Sequence, residues 1–165
     1  MWVKEKKNKK TLLLSGLSVV ILILLDQFTK YLAVIFLKDK PAIPIIKDVF
    51  ELKYLENTSA AFGMDPISLL HNILQFDIFN ENPQLYLNVR MSFFYVLTFV
   101  VIIILLYVYE RIPNTKRYRY MDAVLIFFIA GAIGNLIDRI CNKYVIDFLY
   151  FKLIDFPIFN VADIY

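Results

Sequence analysis

Three long apolar runs organise the chain, from about Leu12 to Leu37, from about Met91 to Tyr109 and from about Ala123 to Cys141. Each is close to the roughly 20 residues that a helix needs to cross a hydrocarbon core of about 30 Å, so each predicts a transmembrane helix. The first is broken only by Asp26, Gln27 and Lys30. A basic stretch ahead of an apolar one also opens a signal peptide, but no small-residue cleavage site follows here, which favours a retained helix. Between the first two runs, Phe50, Leu52 and Tyr54 alternate with Glu51 and Lys53, the period of a half-exposed strand. Pro41 and Pro44 mark an irregular approach to it. The stretch from Ile67 to Phe79 mixes apolar and polar residues and fits either a short amphipathic helix on the membrane or a loop that moves.

Composition supports this reading. Apolar residues make up 59% of the 165, with 15 Phe and 11 Tyr, more than a soluble chain of this length can hide. The length allows one domain, a small helical bundle with lipid as part of its solvent. A net charge of +3 is too small to point to nucleic acid. The basic residues gather at Lys4, Lys6, Lys7, Lys9 and Lys10 and again between Arg111 and Arg119. With one crossing per apolar run the two clusters share a side, which the positive-inside tendency makes cytoplasmic. Residues 38–90, and all that follows Cys141, then face the opposite side. One cysteine, Cys141, and one histidine, His71, exclude a disulfide framework and argue against a metal centre built on those residues.

Polar residues inside the spans narrow the chemistry, because a charge there costs roughly 2.5–3.5 kcal/mol on insertion. Asp26 and Lys30 lie four apart, on one helix face, and form a candidate structural ion pair. Counted from Thr11, Asp26 is about 22 Å along its helix, in the outer half of the bilayer. In the third run Gly131, Gly134, Asn135 and Asp138 fall on one stripe, where the glycines allow another helix to approach closely. Asp138 lies about 25 Å beyond Met121, near the outer boundary of the core, and Arg139 follows it. Phe156-Pro157-Ile158-Phe159-Asn160-Val161-Ala162-Asp163 brings a second carboxylate to the same side. Two carboxylates at one depth can share a proton, one activating water while the other polarises a carbonyl. That chemistry needs no Ser, Cys, His or metal. The residues alone also allow an interfacial Asp–Arg pair, an ion carrier using Asp26, Lys30 and Asp138, or a non-catalytic assembly subunit.

Five short motifs, in order, resemble those of lipoprotein signal peptidase (signal peptidase II), the bacterial membrane aspartyl protease family. They are Asp26-Gln27-Phe28-Thr29-Lys30, Asn57-Thr58-Ser59-Ala60-Ala61-Phe62-Gly63, Gly131-Ala132-Ile133-Gly134-Asn135-Leu136-Ile137-Asp138-Arg139, Val145-Ile146-Asp147-Phe148 and Phe159-Asn160-Val161-Ala162-Asp163. Ser59 stands where the family has glycine. The resemblance implies a mainly α, polytopic membrane helical bundle with a small extracytoplasmic β-sheet and a mobile outer helix over part of 64–82. It implies a catalytic dyad of Asp138 and Asp163, with Asn57, Asn135, Arg139 and Asn160 lining or supporting the site, and no cofactor. The expected reaction removes the signal peptide from diacylglyceryl-modified prolipoproteins, cutting N-terminal to the lipid-modified cysteine. Expected partners are those substrates and membrane lipid, the expected state is a monomer, and the expected location is the bacterial cell membrane with the site near its extracytoplasmic face. Residues 1–165 read as a single membrane-embedded peptidase domain holding three transmembrane helices. A fourth is expected after Tyr165.

Overall fold

The structure is a computed structural model that describes residues 6–59, 67–70 and 82–165. Helix α1 spans Lys9–Leu37, strands β1 and β2 span Ile43–Ile46 and Phe50–Asn57, and helix α2 spans Pro83–Arg111. Helix α3 (Arg119–Asn142), strand β3 (Val145–Tyr150) and a single helical turn, α4 (Val161–Ile164), complete the order. The Ala60–Gly63 part of the second motif and, apart from residues 67–70, the expectations for 64–81 lie outside the described residues.

The three long helices are long and apolar enough to cross a membrane. At about 1.5 Å per residue, the 29-residue α1 and α2 each extend about 43 Å, more than the core alone requires. The extra turns are polar and are fixed by local signals. Asn8 Oδ1 accepts the Thr11 N–H at the start of α1, and Asn82 Oδ1 accepts the Leu85 N–H ahead of α2, where Pro83 supplies a preset φ. Helix α2 therefore begins eight residues before the expected Met91. Lys143, with φ 69°, closes α3 by returning its N–H to the Arg139 carbonyl.

Burial is inverted relative to a soluble bundle. In α1, Leu13 is 73% and Leu24 63% exposed, whereas Asp26 is 0% and Lys30 1% exposed. Apolar residues outward and charges inward is the arrangement that lipid requires. Helix α3 packs against both α1 and α2 and carries the most buried stripe, from Leu125 through Ala130, Gly131 and Gly134 to Asp138.

The sheet lies at the end of the bundle where α1 and α3 terminate. Its order is β1-β2-β3, antiparallel throughout. Strand β1 runs through Pro44, which an edge strand tolerates and a central one does not. Strand β3 lacks the alternation that marked β2, because its residues Val145–Phe148 are all buried. Ile146 and Phe148 pack with Ala33 and Leu37 of α1, while Asp147, next in the pleat, points the other way.

Candidate active site

Asp147 is the polar exception in an apolar strand, and the fold surrounds it with amides. Residues Leu55 and Asp147 pair across β2 and β3, as do Asn57 and Val145, so Asn57 is a diagonal neighbour of Asp147 on one sheet face. Its Nδ2 donates to Asp147 Oδ2 at 2.7 Å. Phe159 then returns alongside β3, exchanging hydrogen bonds with Leu149, and sets Asn160 beside Asp147. Asn160 Nδ2 donates to Asp147 Oδ1 at 2.7 Å.

Asn160 is also the N-cap of α4, and this brings in the second carboxylate. Its side-chain oxygen accepts the Asp163 N–H, and Asp163 Oδ2 accepts the Asn160 N–H at 3.0 Å, a reciprocal capping box. Asp163 Oδ1 accepts from Asn135 Nδ2 at 2.9 Å. Asp147 and Asp163 thus hang on one residue from opposite sides. Their environments differ: Asp147 is 2% exposed, whereas Asp163 reaches the surface. Burial pushes the Asp147 carboxyl up to about 6, and the charge of Asp163 pushes the same way. The hydrogen bonds from Asn57 and Asn160 favour the ionised form and oppose that rise.

Below this pair lies a clamp. Lys30 Nζ is 2.9 Å from Asp26 Oδ2 and 3.1 Å from Asp138 Oδ2, and it donates to Asn135 Oδ1 at 2.9 Å. Gln27 Nε2 ties the same two carboxylates from the side, at 3.1 Å from each. Each carboxylate then grips a backbone N–H. Asp138 Oδ2 accepts from Ile146, the residue before Asp147, and Asp26 Oδ1 accepts from Ala162, the residue before Asp163. One buried ammonium therefore joins the two anchors that hold the chain immediately ahead of Asp147 and Asp163. Lys30 has only donors, so Asn135 must turn its oxygen toward Lys30 and its NH2 toward Asp163.

The glycines make the clamp possible. A Cβ on Gly134 would stand 2.6 Å from Asp26 Oδ2, and one on Gly131 would stand 2.5 Å from the Ala162 carbonyl oxygen. Real Cβ atoms essentially never come this close, so at these two points α1 and α4 approach α3 because α3 has no side chain there. Among the described residues no group of three or more His, Cys, Asp or Glu is arranged to hold a metal ion.

These features have counterparts in known proteins. The family model described as signal peptidase (SPase) II matches residues 18–165. The chain belongs to the signal peptidase II family. The lipoprotein signal peptidase of Caldanaerobacter subterraneus subsp. tengcongensis is 41% identical over 146 residues, 88% of this chain and 82% of that relative. That of Bacillus subtilis is 34% identical over 146 residues, covering 87% of this chain and 79% of its own length. A bacterial membrane enzyme solved by the in meso method at 2.3 Å superposes with a TM-score of 0.70 at 26% identity, over 98% of this chain and 84% of that one.

The expected signal peptidase II residues occupy two layers. Asn57 and Asn160 bond Asp147, and Asn160 and Asn135 bond Asp163. Arg139 lies beside them, its guanidinium 4.9 Å from the Phe94 ring centroid and 3.4 Å from the Ser59 carbonyl oxygen. Asp138 sits in the clamp with Asp26 and Lys30, and among the described residues no hydrogen bond joins it to Asp163. Ser59, in the family's glycine position, has no positive φ. In the sequence Asp147 and Gln27 stand out only as members of motifs. The signal for Asp147 was present, a lone carboxylate in the hexapeptide Val145–Tyr150. Gln27 looked like any polar residue beside a charged one.

Proposed function

We propose that this chain is an aspartyl endopeptidase whose working carboxylates are Asp147 and Asp163, with Asp138 as a positioning residue. The observation that carries the pairing is Asn160, which binds both carboxylates at once. The first expectation, Asp138 with Asp163, came from the motif resemblance, with depth and the glycine stripe supporting Asp138. It gives way because Asp138 is already committed to Lys30, Gln27 and the Ile146 N–H.

Environments that separate two acids also divide their duties. Asp147, buried and raised, carries the proton and donates it to the scissile carbonyl oxygen. Asp163 takes a proton from water, whose oxygen attacks the carbonyl carbon. The resulting gem-diol collapses as Asp163 passes its proton to the leaving nitrogen, and a diol hydroxyl returns a proton to Asp147. The C–N bond breaks and both carboxyls regain their starting states.

The substrate we propose is a lipid-modified prolipoprotein, cut on the N-terminal side of its modified cysteine. Its support is the family of lipoprotein signal peptidases together with a site set at the end of lipid-facing helices. The basic residues Lys6–Lys10 and Arg111–Arg119 lie at the opposite end, and the positive-inside tendency supports our reading of a site on the extracytoplasmic side of a bacterial cell membrane. The test is release of the signal peptide from a lipidated precursor by purified protein. Equal cleavage of the unlipidated precursor would refute the substrate assignment.

A further inference from the structure

At the end of the bundle away from the carboxylates, a cavity of about 420 Å³ opens between the first turns of α1 and α3 and the loop that joins α2 to α3. Its construction is specific. Lys116 and Arg119 stand on its wall, and among the described residues neither has an acidic partner. The one carboxylate in the lining, Asp122, is already bound by Lys7, whose ammonium also lies 3.9 Å over the Tyr109 ring. With Lys7 and Asp122 cancelling, Lys116 and Arg119 leave two net positive charges. Thr11 and Ser15 add hydroxyls to the same wall, and the Ser15 oxygen is paired with Tyr109 at 2.6 Å. Leu14 and Ile126 line the side toward the apolar spans.

The walls are held from behind. Tyr109, Ile112 and Leu125 form a buried cluster, with Leu105, Tyr118 and Ile126 against it, that fixes the loop to α2 and α3. The cavity is therefore shaped before a ligand arrives. Two free cations, hydroxyl donors and an apolar side at the boundary of a membrane span match a phosphate group with an acyl tail below it.

We propose that this cavity binds the phosphate headgroup of an anionic phospholipid in the leaflet on the N-terminal face, with Lys116 and Arg119 as its charge partners. It is independent of the peptidase reading, since no residue is shared.

The test uses the full chain in neutral phosphatidylcholine nanodiscs. Phosphatidylglycerol is titrated in while bound lipid is counted by native mass spectrometry and the unfolding temperature is followed. The proposal expects saturable binding of one phosphatidylglycerol and a rise in unfolding temperature. It expects the K116Q/R119Q variant to bind about 10- to 30-fold more weakly, from about a fivefold loss per cation. Arg117→Gln, a neighbouring cation outside the lining, should change affinity by less than threefold. Millimolar inorganic phosphate should compete partially, because it offers the same oxyanion without the tail. Equal retention of phosphatidylcholine, equal affinity in K116Q/R119Q, or saturation by inorganic phosphate with no lipid bound would each overturn the proposal.

Discussion

Replacing Lys30 with methionine tests the clamp at its centre. The side chain is 2% exposed and contacts Asp26 at 2.9 Å, Asp138 at 3.1 Å and Asn135 at 2.9 Å. Methionine fills much of the same volume, so packing changes little while two buried carboxylates lose their shared cation. Breaking a buried pair in this way costs about 3–5 kcal/mol, since the stranded charge cannot return to water. Against a total stability of roughly 5–15 kcal/mol, that is a large fraction. The penalty should fall mainly on Asp26 and Asp138, so K30M/D138N should recover at least about 1 kcal/mol relative to the sum of the single variants. Equilibrium unfolding of the four proteins in detergent gives the cycle. Catalysis should fall as well, because the anchors of Ile146 and Ala162 loosen and Asn135 is free to turn its NH2 away from Asp163. Lys30→Arg keeps both the charge and the donors, and should restore part of kcat. A loss below about 1 kcal/mol for Lys30→Met, with the double variant strictly additive, would refute the clamp.

Other predictions concern separate parts of the site. Gly131→Ala and Gly134→Ala should both be damaging, the first because its Cβ would meet the Ala162 backbone and the second because it would meet the clamped Asp26 carboxylate; unfolding temperature and kcat should fall together. Asn57→Leu removes a hydrogen bond that favours ionised Asp147, so the alkaline limb of the kcat/KM profile, set by Asp147 at about 6, should move to higher pH. Asp147 also links stability to pH. Its folded value of about 6 exceeds the ordinary 3.8, so its contribution is full below about 3.8 and is lost as pH rises through 6. The whole change amounts to about 3 kcal/mol and should show as a lower unfolding temperature at pH 8 than at pH 5, a difference smaller in Asp147→Asn.

Much of the bundle was legible in the sequence because lipid imposes a simple rule on it. The apolar runs located all three long helices, and what they missed was the polar turns at the ends, where Asn8, Asn82 and Lys143 set the boundaries. Strand β2 showed through its alternation. Strands β1 and β3 did not, one because Pro44 argues against a strand and the other because burial of Val145–Phe148 erases the period. The stripe from Gly131 to Asp138 correctly marked where other elements come close. It gave no indication of which carboxylate shares Asn160 with Asp163, because that depends on Phe159 returning beside Leu149, a contact between residues ten apart that no local pattern encodes. Asp138 lay at the right depth, but a lysine one helix away had claimed it.

The most direct test is kcat of Asp147→Asn on a lipidated precursor, measured beside its unfolding temperature at pH 7 and beside Asp138→Asn. If Asp147 carries the proton, kcat should fall by about a thousandfold or more with the fold intact, as loss of an acid–base group requires. Asp138→Asn should instead keep measurable turnover and lose stability, because Lys30 loses one of its two carboxylate partners and the Ile146 N–H loses its charged acceptor. An Asp147→Asn protein within tenfold of the parent, beside a fully stable and inactive Asp138→Asn, would contradict the assignment and return the chemistry to Asp138.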